Sequence, residues 1–540
     1  MDPLPENSTD QALSPTEKWG VVFAMAMGIL VVASTNMVID LDLFHEMALF
    51  REMWNTSSVP VGGTFAYTPT RPTVVHHEWG TGAVLYYAIS GSGWGLTGLM
   101  ILKYLLTFGI CAIGFRAAVQ HGGSFLPICG LAPVALCVGG YAGFTNIRAQ
   151  MFTLLFLAIQ YWMMGRDIRG HRKWVWAWPI LFLIWANLHA GVVAGLGLFG
   201  IYVGWQFAGD WLRNSFGTAI AQNIHRLSLL AVSPLLLCIN PWGATYIPYL
   251  FRAVRMERKL IGEWQPIWKS NDMAMVAMFG IAILIAVAAA ILVIGNEFRQ
   301  RKQNNKADKT VILSVWQYLF PLTVVALTAI LAAKHIRHVS IFAITWICFV
   351  PGLLMQSELR ESLTNISQSS RRMLFKGCVA AALIGLAISC NNHFGAIRIP
   401  EVRTAELRGA PVYPVAAINY LQEKQVSGNM MVPFATGAYV SWRMHPAIQV
   451  SIDSRYEVAY PDGAVEESVA FYRMLDSSWQ EMLDKYPTDL ILVPTWAPVD
   501  KALTDAVANR EITWKEIYRD PSYAIYSRLL EHNTASLPRF

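Results

Sequence analysis

The sequence predicts an α-helical bundle that crosses a membrane about eleven times, with a small C-terminal α/β domain outside the membrane. The 540 residues are 54% hydrophobic and only 14% charged, whereas soluble proteins carry about 25% charged residues. Apolar runs of roughly 17–25 residues, each able to cross about 30 Å of hydrocarbon, recur through the first 390 residues. After residue 391, polar residues increase and apolar runs shorten to strand length.

The first predicted span is a retained signal anchor, because residues 1–17 are polar and acidic and no small-residue cleavage site follows. The second is one long or broken helix. In chain order the predicted spans are 18–39, 80–115, 124–145, 150–165, 174–188, 190–209, 227–240, 273–295, 311–333, 338–356 and 373–390.

Short loops rich in Lys and Arg favour the cytoplasmic side, and three of them fall on the side of the N-terminus: Arg166–Lys173, Arg299–Lys309 and Arg360–Arg372. Segment 40–78 and everything after residue 391 then lie outside, as expected for a multi-pass plasma or inner membrane protein. Loop 241–272 also lies outside although it is basic. Arg252 and Arg255, spaced among Phe251 and Val254, predict an amphipathic helix in the interface, and a misplaced span is the alternative.

Two domains are therefore expected: the bundle of residues 1–391, with a first external loop at 40–78, and an extracytoplasmic α/β domain at 392–540. In the second domain, strands are predicted at Met430–Phe434, Ala447–Ile452, Leu490–Val493 and Ala524–Tyr526, and helices at about 413–425, 464–485 and 500–509.

Composition and motifs exclude several classes. The net charge is +6 without a basic stripe, so no nucleic-acid partner is expected. The seven cysteines stand singly and none lies beyond residue 391, which indicates buried side chains rather than metal or redox sites. No Walker loop, dinucleotide fingerprint, zinc-protease helix or nucleophile elbow is found, so chemistry driven by ATP or a nucleotide sugar is not supported.

Acidic side chains follow the first span. Asp40 and Asp42 flank one apolar residue near the outer interface, where they could bind a divalent cation such as Mg²⁺ or Mn²⁺ or act as a base. Alternatively, Asp42 caps an interfacial helix containing Leu43, Phe44, Met47 and Phe50, and both roles are compatible. Glu46 comes four residues after Asp42 and could share its helix face.

The second span is preceded by His76, His77 and Glu78, which return to the same interface. Adjacent side chains cannot both point one way from a strand, so we expect His77 and Glu78 to face the site and His76 to face away. Imidazole and carboxylate groups can ligate metal, orient a phosphate or move protons. Interfacial anchoring through Trp79 is the alternative.

Five further predicted outer turns carry polar residues: Asn146–Gln150, Asn187–Gly191, Asn240–Gly243, Glu263–Trp264 and Lys334–His338. Any one could be a helix cap, but five on one face indicate a site. Arg148, Lys334, Arg337 and His338 would supply cations for a phosphate leaving group, and His189 is assigned to the same phosphate-binding group.

The order of these motifs resembles the GT-C superfamily of membrane glycosyltransferases, and more closely its large group of uncharacterised bacterial members. The resemblance is carried by Asp40–Glu46, Pro60–Thr68, His77–Trp79, Arg148–Phe152, Trp185–Gly191, Asn240–Gly243, Glu263–Trp264, Arg337–His338, Gly428–Asn429, Gly437–Tyr439 and Ile452–Arg455. It implies a helical membrane bundle, an essential acid in the first external loop and an outer C-terminal domain. The tail lacks the W-W-D-type signature of oligosaccharyltransferases, which argues against transfer to asparagine.

The resemblance further implies a polyprenyl-phosphate sugar as donor and a lipid, glycan or protein as acceptor. Asp40 or Asp42 would deprotonate the acceptor, with metal in some families, and Glu46, His77 and Glu78 would complete the catalytic group. The competing hypothesis is a non-catalytic lipid- or polysaccharide-binding component of a cell-envelope assembly machine. A transporter ranks last, because neither inverted repeats nor charges deep within spans are found.

Overall fold

The computed structural model describes residues 20, 41–60, 62–143, 148–256, 261–304, 309–364, 373, 376, 380, 406–407, 410–411, 413–475 and 479–528. The chain divides into two compact units. Unit 1 comprises Met1–Met37 and Thr97–Ile399, and unit 2 comprises Val38–Leu96 and Pro400–Phe540. Asp40, nearly all of the predicted spans 18–39 and 373–390, and residues 392–405 lie outside the described residues.

Unit 1 is helical, which confirms the polytopic bundle. Its helices are Leu96–Gln120, Phe125–Gly143, Ala149–Ile168, Trp174–Leu188, Val192–Arg213, Phe216–Leu237, Tyr246–Arg255, Met273–Asn304, Lys309–Lys334, Val339–Met355 and Leu359–Thr364. Among the described residues, six helices are long and apolar enough to cross a membrane: Leu96–Gln120, Val192–Arg213, Phe216–Leu237, Met273–Gln300, Val315–Lys334 and Ile336–Met355. Helix Val339–Met355 is almost entirely buried and packs against five other described α-helices, so it forms the centre of unit 1.

Segment 80–115 is a broken helix, one of its two predicted forms: helix Trp79–Tyr86 passes into a π-helical turn at Tyr87–Gly91, and the apolar helix begins only at Leu96. The predicted start of span 227–240 was wrong. Span 227–240 is preceded by further helical turns that begin at Phe216, since the Ser215 hydroxyl caps the helix by accepting from Thr218 N at 3.2 Å. The first turns of that helix are polar, so apolar length alone did not reveal them.

The amphipathic helix predicted in loop 241–272 is present as Tyr246–Arg255. Tyr246, Tyr249 and Leu250 are buried, whereas Phe251 and Val254 are each 66% exposed. Arginines lie beside these exposed apolar side chains, which is the pattern of a helix lying in a membrane interface. Residues 257–260, which complete the predicted basic segment, lie outside the described residues.

Unit 2 contains a mixed sheet of five strands. The described strands are β1 Glu406–Leu407, β2 Ala410–Pro411, β3 Gly428–Met431, β4 Ile448–Val450, β5 Leu490–Pro494, β6 Trp514–Arg519 and β7 Tyr523–Arg528, of which β1 and β2 form a separate antiparallel pair. The sheet order is β4-β3-β5-β7-β6, with β4, β3 and β5 parallel and β7 and β6 antiparallel. The helices of this region are Val415–Glu423, Gly437–Met444, Tyr456–Ala459, Ala464–Arg473, Trp479–Lys485 and Pro498–Ala508.

The four predicted strands are confirmed, while β6 and helix Gly437–Met444 were not predicted. The segment after helix Leu41–Thr56 also joins the sheet of unit 2. Ala66 forms a parallel bridge with Val450, Val450 N donates to Phe65 O at 2.9 Å, and Tyr67 N donates to Val450 O at 3.2 Å. The first external loop and the C-terminal region therefore share one compact unit, and the domain boundary at residue 391 remains a prediction.

Candidate functional site

Helix Leu41–Thr56 of unit 2 carries the first group of candidate residues. Asp42 is exposed in its first turn, where a carboxylate is favoured by the helix dipole. Glu46, one turn later, is 5% exposed, and its backbone carbonyl is pressed against Gly82. The predicted interfacial residues of this helix, including Phe44 and Met47, are instead buried within unit 2. Of the described candidate residues on this helix, Asp42 is the acid that is open to solvent.

The two adjacent histidines have different partners and different exposure. His77 Nε2 lies 3.3 Å from Glu78 Oε1, and both side chains are partly exposed. His76 is buried, and its ring centroid is 5.8 Å from that of His45. Sequence reasoning placed His77 and Glu78 in the site and left His45 and His76 aside, whereas the structure forms two pairs of which His45–His76 is the buried one.

A buried ion pair lies close to these imidazoles. Arg455 Nε donates to Asp453 Oδ1 at 2.8 Å and Arg455 Nη2 donates to Asp453 Oδ2 at 2.7 Å, a side-on bidentate arrangement. Arg455 Nη1 donates to Gly62 O at 3.2 Å, and the guanidinium lies 5.4 Å from the centre of the Phe65 ring. Arg455 thus ties the first external loop to the turn after β4.

In this buried cluster Asp453 and Arg455 are both ionised, whereas the imidazoles of His45 and His76 are neutral. Burial raises the pKa of Asp453, but the Arg455 guanidinium outweighs burial and holds that pKa at about 2. Burial lowers the pKa of His45 to about 4, and the carboxylate of Asp453 opposes only part of that shift. Burial also lowers the pKa of His76 well below its usual value, and Arg455 acts in the same direction. Both imidazoles are neutral near pH 7, so they can accept or relay a proton but do not hold a cationic charge.

The Asp453–Arg455 pair was not proposed as a site from the sequence, where Ile452–Arg455 served only as part of the family resemblance. The available signal was an Asp-x-Arg triplet at the end of an apolar strand, because charges placed there must be paired if they are buried. The partners in the first loop could not be recognised before the fold was known.

Three of the five predicted outer turns of unit 1 meet in one cluster. Arg148 Nη1 lies 2.5 Å from Glu263 Oε2. The adjoining Trp264 lies under the Arg337 guanidinium, 4.6 Å from the ring centre, and its carbonyl is 2.8 Å from His335 Nδ1. The rings of Trp264 and His338 are 6.2 Å apart. The turns after residues 147, 262 and 334 therefore form one polar cluster.

Backbone contacts hold this cluster in place. Gln150 Nε2 donates to Arg337 O at 2.7 Å and to Ser340 Oγ at 2.8 Å, which fixes the turn that presents Arg337. Lys334, the last residue of helix Lys309–Lys334, is exposed. His189 is buried, with Nδ1 2.6 Å from Thr153 Oγ1 and accepting from Gly191 N at 3.2 Å. Of the predicted phosphate-binding residues, Arg148, Arg337 and His338 join the cluster around Trp264, while His189 binds groups inside unit 1.

A second polar network was missed because its residues come from a loop predicted to carry only generic basic residues. The carboxylate of Asp167 is fully buried and contacts Arg226 Nε at 2.5 Å, Arg172 Nη1 at 2.6 Å and Trp174 Nε1 at 3.0 Å. Tyr202 OH donates to the same carboxylate at 2.5 Å. Such a satisfied network holds helices together, and Asp167 and Arg226 are too far apart in the sequence to be recognised as partners.

Among the described residues no group of three or more His, Cys, Asp or Glu side chains is arranged to hold a metal ion. Asp40 lies outside them. Binding of a divalent cation by Asp40 and Asp42 therefore stays a prediction.

The apolar helices and the small sheet define a multi-pass membrane protein. No known protein family has a model that matches the chain. No curated protein matches it. Among solved structures, the chain is similar to the oligosaccharyltransferase AglB of the archaeon Archaeoglobus fulgidus, solved with an inhibitory peptide and a dolichol-phosphate. The identity is 12% and the TM-score 0.49, and the match covers 96% of this chain and 75% of that one.

Proposed function

We propose that the chain is a membrane glycosyltransferase that moves a sugar from a polyprenyl-phosphate donor to a lipid, glycan or protein acceptor at the outer leaflet. The observation that carries the proposal is the cluster at one end of unit 1, where Arg337 is held over Trp264 beside the Arg148–Glu263 pair. The ordered motifs that resemble the GT-C superfamily support the same function.

The cluster suits a phosphate leaving group. As the glycosidic bond breaks, negative charge develops on the phosphate, and a guanidinium already fixed in place stabilises that charge without reorganising. The indole of Trp264 and the bond from Gln150 to the Arg337 carbonyl provide that fixation. Arg148, which is paired with Glu263, is assigned the smaller role.

The acceptor hydroxyl requires a base, and Asp42 is proposed for it because this carboxylate is exposed in the first turn of its helix. A divalent cation shared by Asp40 and Asp42 would lower the pKa of a bound hydroxyl. Glu46, His77 and Glu78 are proposed as supporting residues of the same unit, and Lys334, His338 and His189 as secondary residues of unit 1.

Transfer should be measured with the full-length protein in nanodiscs, using a panel of polyprenyl-phosphate sugars as donors. We expect Asp42→Asn to reduce the transfer rate by about two to four orders of magnitude at nearly unchanged thermal stability. The matched control is Asp505→Asn, which changes an exposed carboxylate on helix Pro498–Ala508. Wild-type turnover by Asp42→Asn and by an Asp40→Asn/Asp42→Asn variant would show that both are structural.

The role of the Arg337 guanidinium is tested by comparing the affinity for the donor with the rate of sugar transfer. We expect Arg337→Ala to lower the rate far more than it weakens binding, and Arg337→Lys to restore only part of it because the planar fork is lost. Arg299→Ala is the control, since Arg299 is an exposed arginine paired with Glu358 elsewhere in unit 1. Equal losses in rate and binding would indicate lipid anchoring. Tight donor binding without transfer by the unmodified protein would favour a non-catalytic binding component.

The proposed outer location is tested with topology reporters. A reporter fused after Phe540 should be active outside the cell membrane, and one inserted near Asn304 should be active in the cytoplasm. A cytoplasmic signal from the first fusion would refute the placement of unit 2 at the outer face.

A further inference from the structure

Unit 2 contains an apolar groove of about 1020 Å³, open to the surroundings, that the proposed reaction does not use. Its walls come from helix Leu41–Thr56 and from helices Val415–Glu423 and Gly437–Met444. The side chains that form the walls are mainly Leu43, Met47, Leu96, Val415, Tyr439 and Trp442. Of the described residues that line the groove, none is an acid or a histidine, so the groove is separate from the residues proposed for chemistry.

Arg443 lies on this groove and is held by neutral groups. Arg443 Nη1 donates to Tyr439 OH at 2.7 Å, and Arg443 Nη2 donates to Asn419 Oδ1 at 2.9 Å and to Gln422 Oε1 at 2.5 Å. Within the described part of the chain these side-chain acceptors carry no charge, so no carboxylate offsets the guanidinium. The bonds occupy three of the five N–H donors of an arginine, which leaves two for a ligand.

This arrangement differs from that of Arg455 and Arg519 in the same unit, whereas Arg51, which is also part-buried, likewise donates to a neutral acceptor, Trp442 O, at 2.8 Å. Arg455 is paired with Asp453, and Arg519 is paired with Asp500. A guanidinium removed partly from water is normally paired with an acid, because its charge is costly to bury alone. Arg443 is instead preorganised by three neutral acceptors at the edge of an apolar wall, which is the complement of an amphiphile with an anionic head.

We propose that this groove binds one anionic phospholipid of the surrounding bilayer, with its phosphate on Arg443 and an acyl chain along the apolar wall. The apolar wall favours a lipid over a soluble anion. The position of Leu96 favours a lipid of the bilayer as the ligand. This residue of the groove wall is the first residue of Leu96–Gln120, a helix long and apolar enough to cross a membrane. The groove therefore includes the residue at which this candidate span begins, and the ends of membrane spans lie near the headgroups.

The test uses the full-length protein in nanodiscs of phosphatidylcholine that contain a fraction of phosphatidylglycerol. Native mass spectrometry after release counts the lipids that stay bound. We expect wild type to retain one phosphatidylglycerol in preference to phosphatidylcholine, and Arg443→Gln to weaken that retention about tenfold or more, as for loss of a charged hydrogen bond. The control is Arg473→Gln, which removes an exposed arginine of unit 2 and should leave retention unchanged.

A second variant tests the apolar wall without changing the charge. Val415→Trp places a larger side chain in the wall of the groove and should also abolish retention. Hydrogen exchange of helix Gly437–Met444 reports whether each variant is folded. Equal retention by folded Arg443→Gln and wild type would overturn the proposal. Displacement of the lipid by inorganic phosphate would indicate a soluble-anion site. Preference for a polyprenyl phosphate over phosphatidylglycerol would indicate a donor site. Either result would also overturn the proposal.

Discussion

Asp453→Asn is expected to open unit 2 by removing one member of a fully buried ion pair. Asp453 is 0% exposed and Arg455 6%, and the guanidinium would keep its charge after the substitution. Breaking a buried pair in this way costs about 3–5 kcal/mol, because the remaining charge is left uncompensated. A cost of this size raises the population of opened unit 2 by roughly two to four powers of ten.

The assay is hydrogen exchange on full-length protein in nanodiscs, followed in peptides that cover β4 and β5. Local measurement is required because a chain with two compact units does not unfold as one cooperative system. The expected result is exchange at β4 faster by that factor, with the loop around Gly62 affected as well, since Arg455 donates to its carbonyl. Helices of unit 1 provide the internal reference.

Glu467→Gln is the matched control, because the Lys485–Glu467 pair is 42% and 45% exposed and such pairs contribute about 0–1 kcal/mol. A double variant, Asp453→Leu with Arg455→Met, should recover much of the loss, since it leaves no buried charge. Exchange at β4 in Asp453→Asn within threefold of wild type would refute the reasoning, because the pair would then behave like one at the surface.

Two further outcomes follow from the packing of the first external loop. Gly82→Val should destabilise the contact between helices Trp79–Tyr86 and Leu41–Thr56 by about 1–3 kcal/mol or more, because an added Cβ would lie 2.3 Å from Glu46 O. Faster hydrogen exchange in both helices would show this. Gly63→Ala is the control, because the nearest atom to an added Cβ there is 4.0 Å away. The low pKa of His45, about 4 through burial against an ordinary 6.5, makes the unfolded chain bind the proton more readily, so unit 2 should lose about 3 kcal/mol as pH falls from 6.5 to 4. His45→Gln should reduce that dependence, leaving the part that comes from the lowered pKa of His76, and exchange at β4 that is equally pH-dependent in the variant would contradict the prediction.

The helical bundle and the sheet could be predicted because both follow from the length and spacing of apolar runs. Helix Val339–Met355 and strand β5 are buried on all sides and read as continuous apolar segments. Strand β6 was missed because it is an edge strand, and its alternation of Trp514 and Ile517 with charged residues is weak. The start of the helix at Phe216 was marked only by the capping Ser215.

The candidate site could be predicted only in part, since the residue types are visible in the sequence and their pairings are not. Alternate loops of a helical bundle lie at the same end of it. A contact between two of the predicted outer turns, such as that of Arg148 with Glu263, could therefore be expected, although the particular pair could not. The burial of His76 against His45 depends on how two helices and a sheet pack, which no local pattern records. Asp453 and Arg455 lie two residues apart, but the burial that makes this ion pair important for stability depends on the loop that covers it.

Unit 2 is made from two stretches of chain separated by the whole helical bundle, and this sets the order of its synthesis. The bond from Arg455 to the Gly62 carbonyl joins residues 393 positions apart. At the usual speed of translation the first loop waits roughly 20–80 s for this partner. During that interval the apolar face of helix Leu41–Thr56, with Phe44 and Met47, is not yet covered by helix Gly437–Met444, whose Tyr439 packs against Phe44. A ribosome that stops before this helix therefore leaves a chain whose described apolar helices are complete and whose first loop is an exposed target for proteases and chaperones.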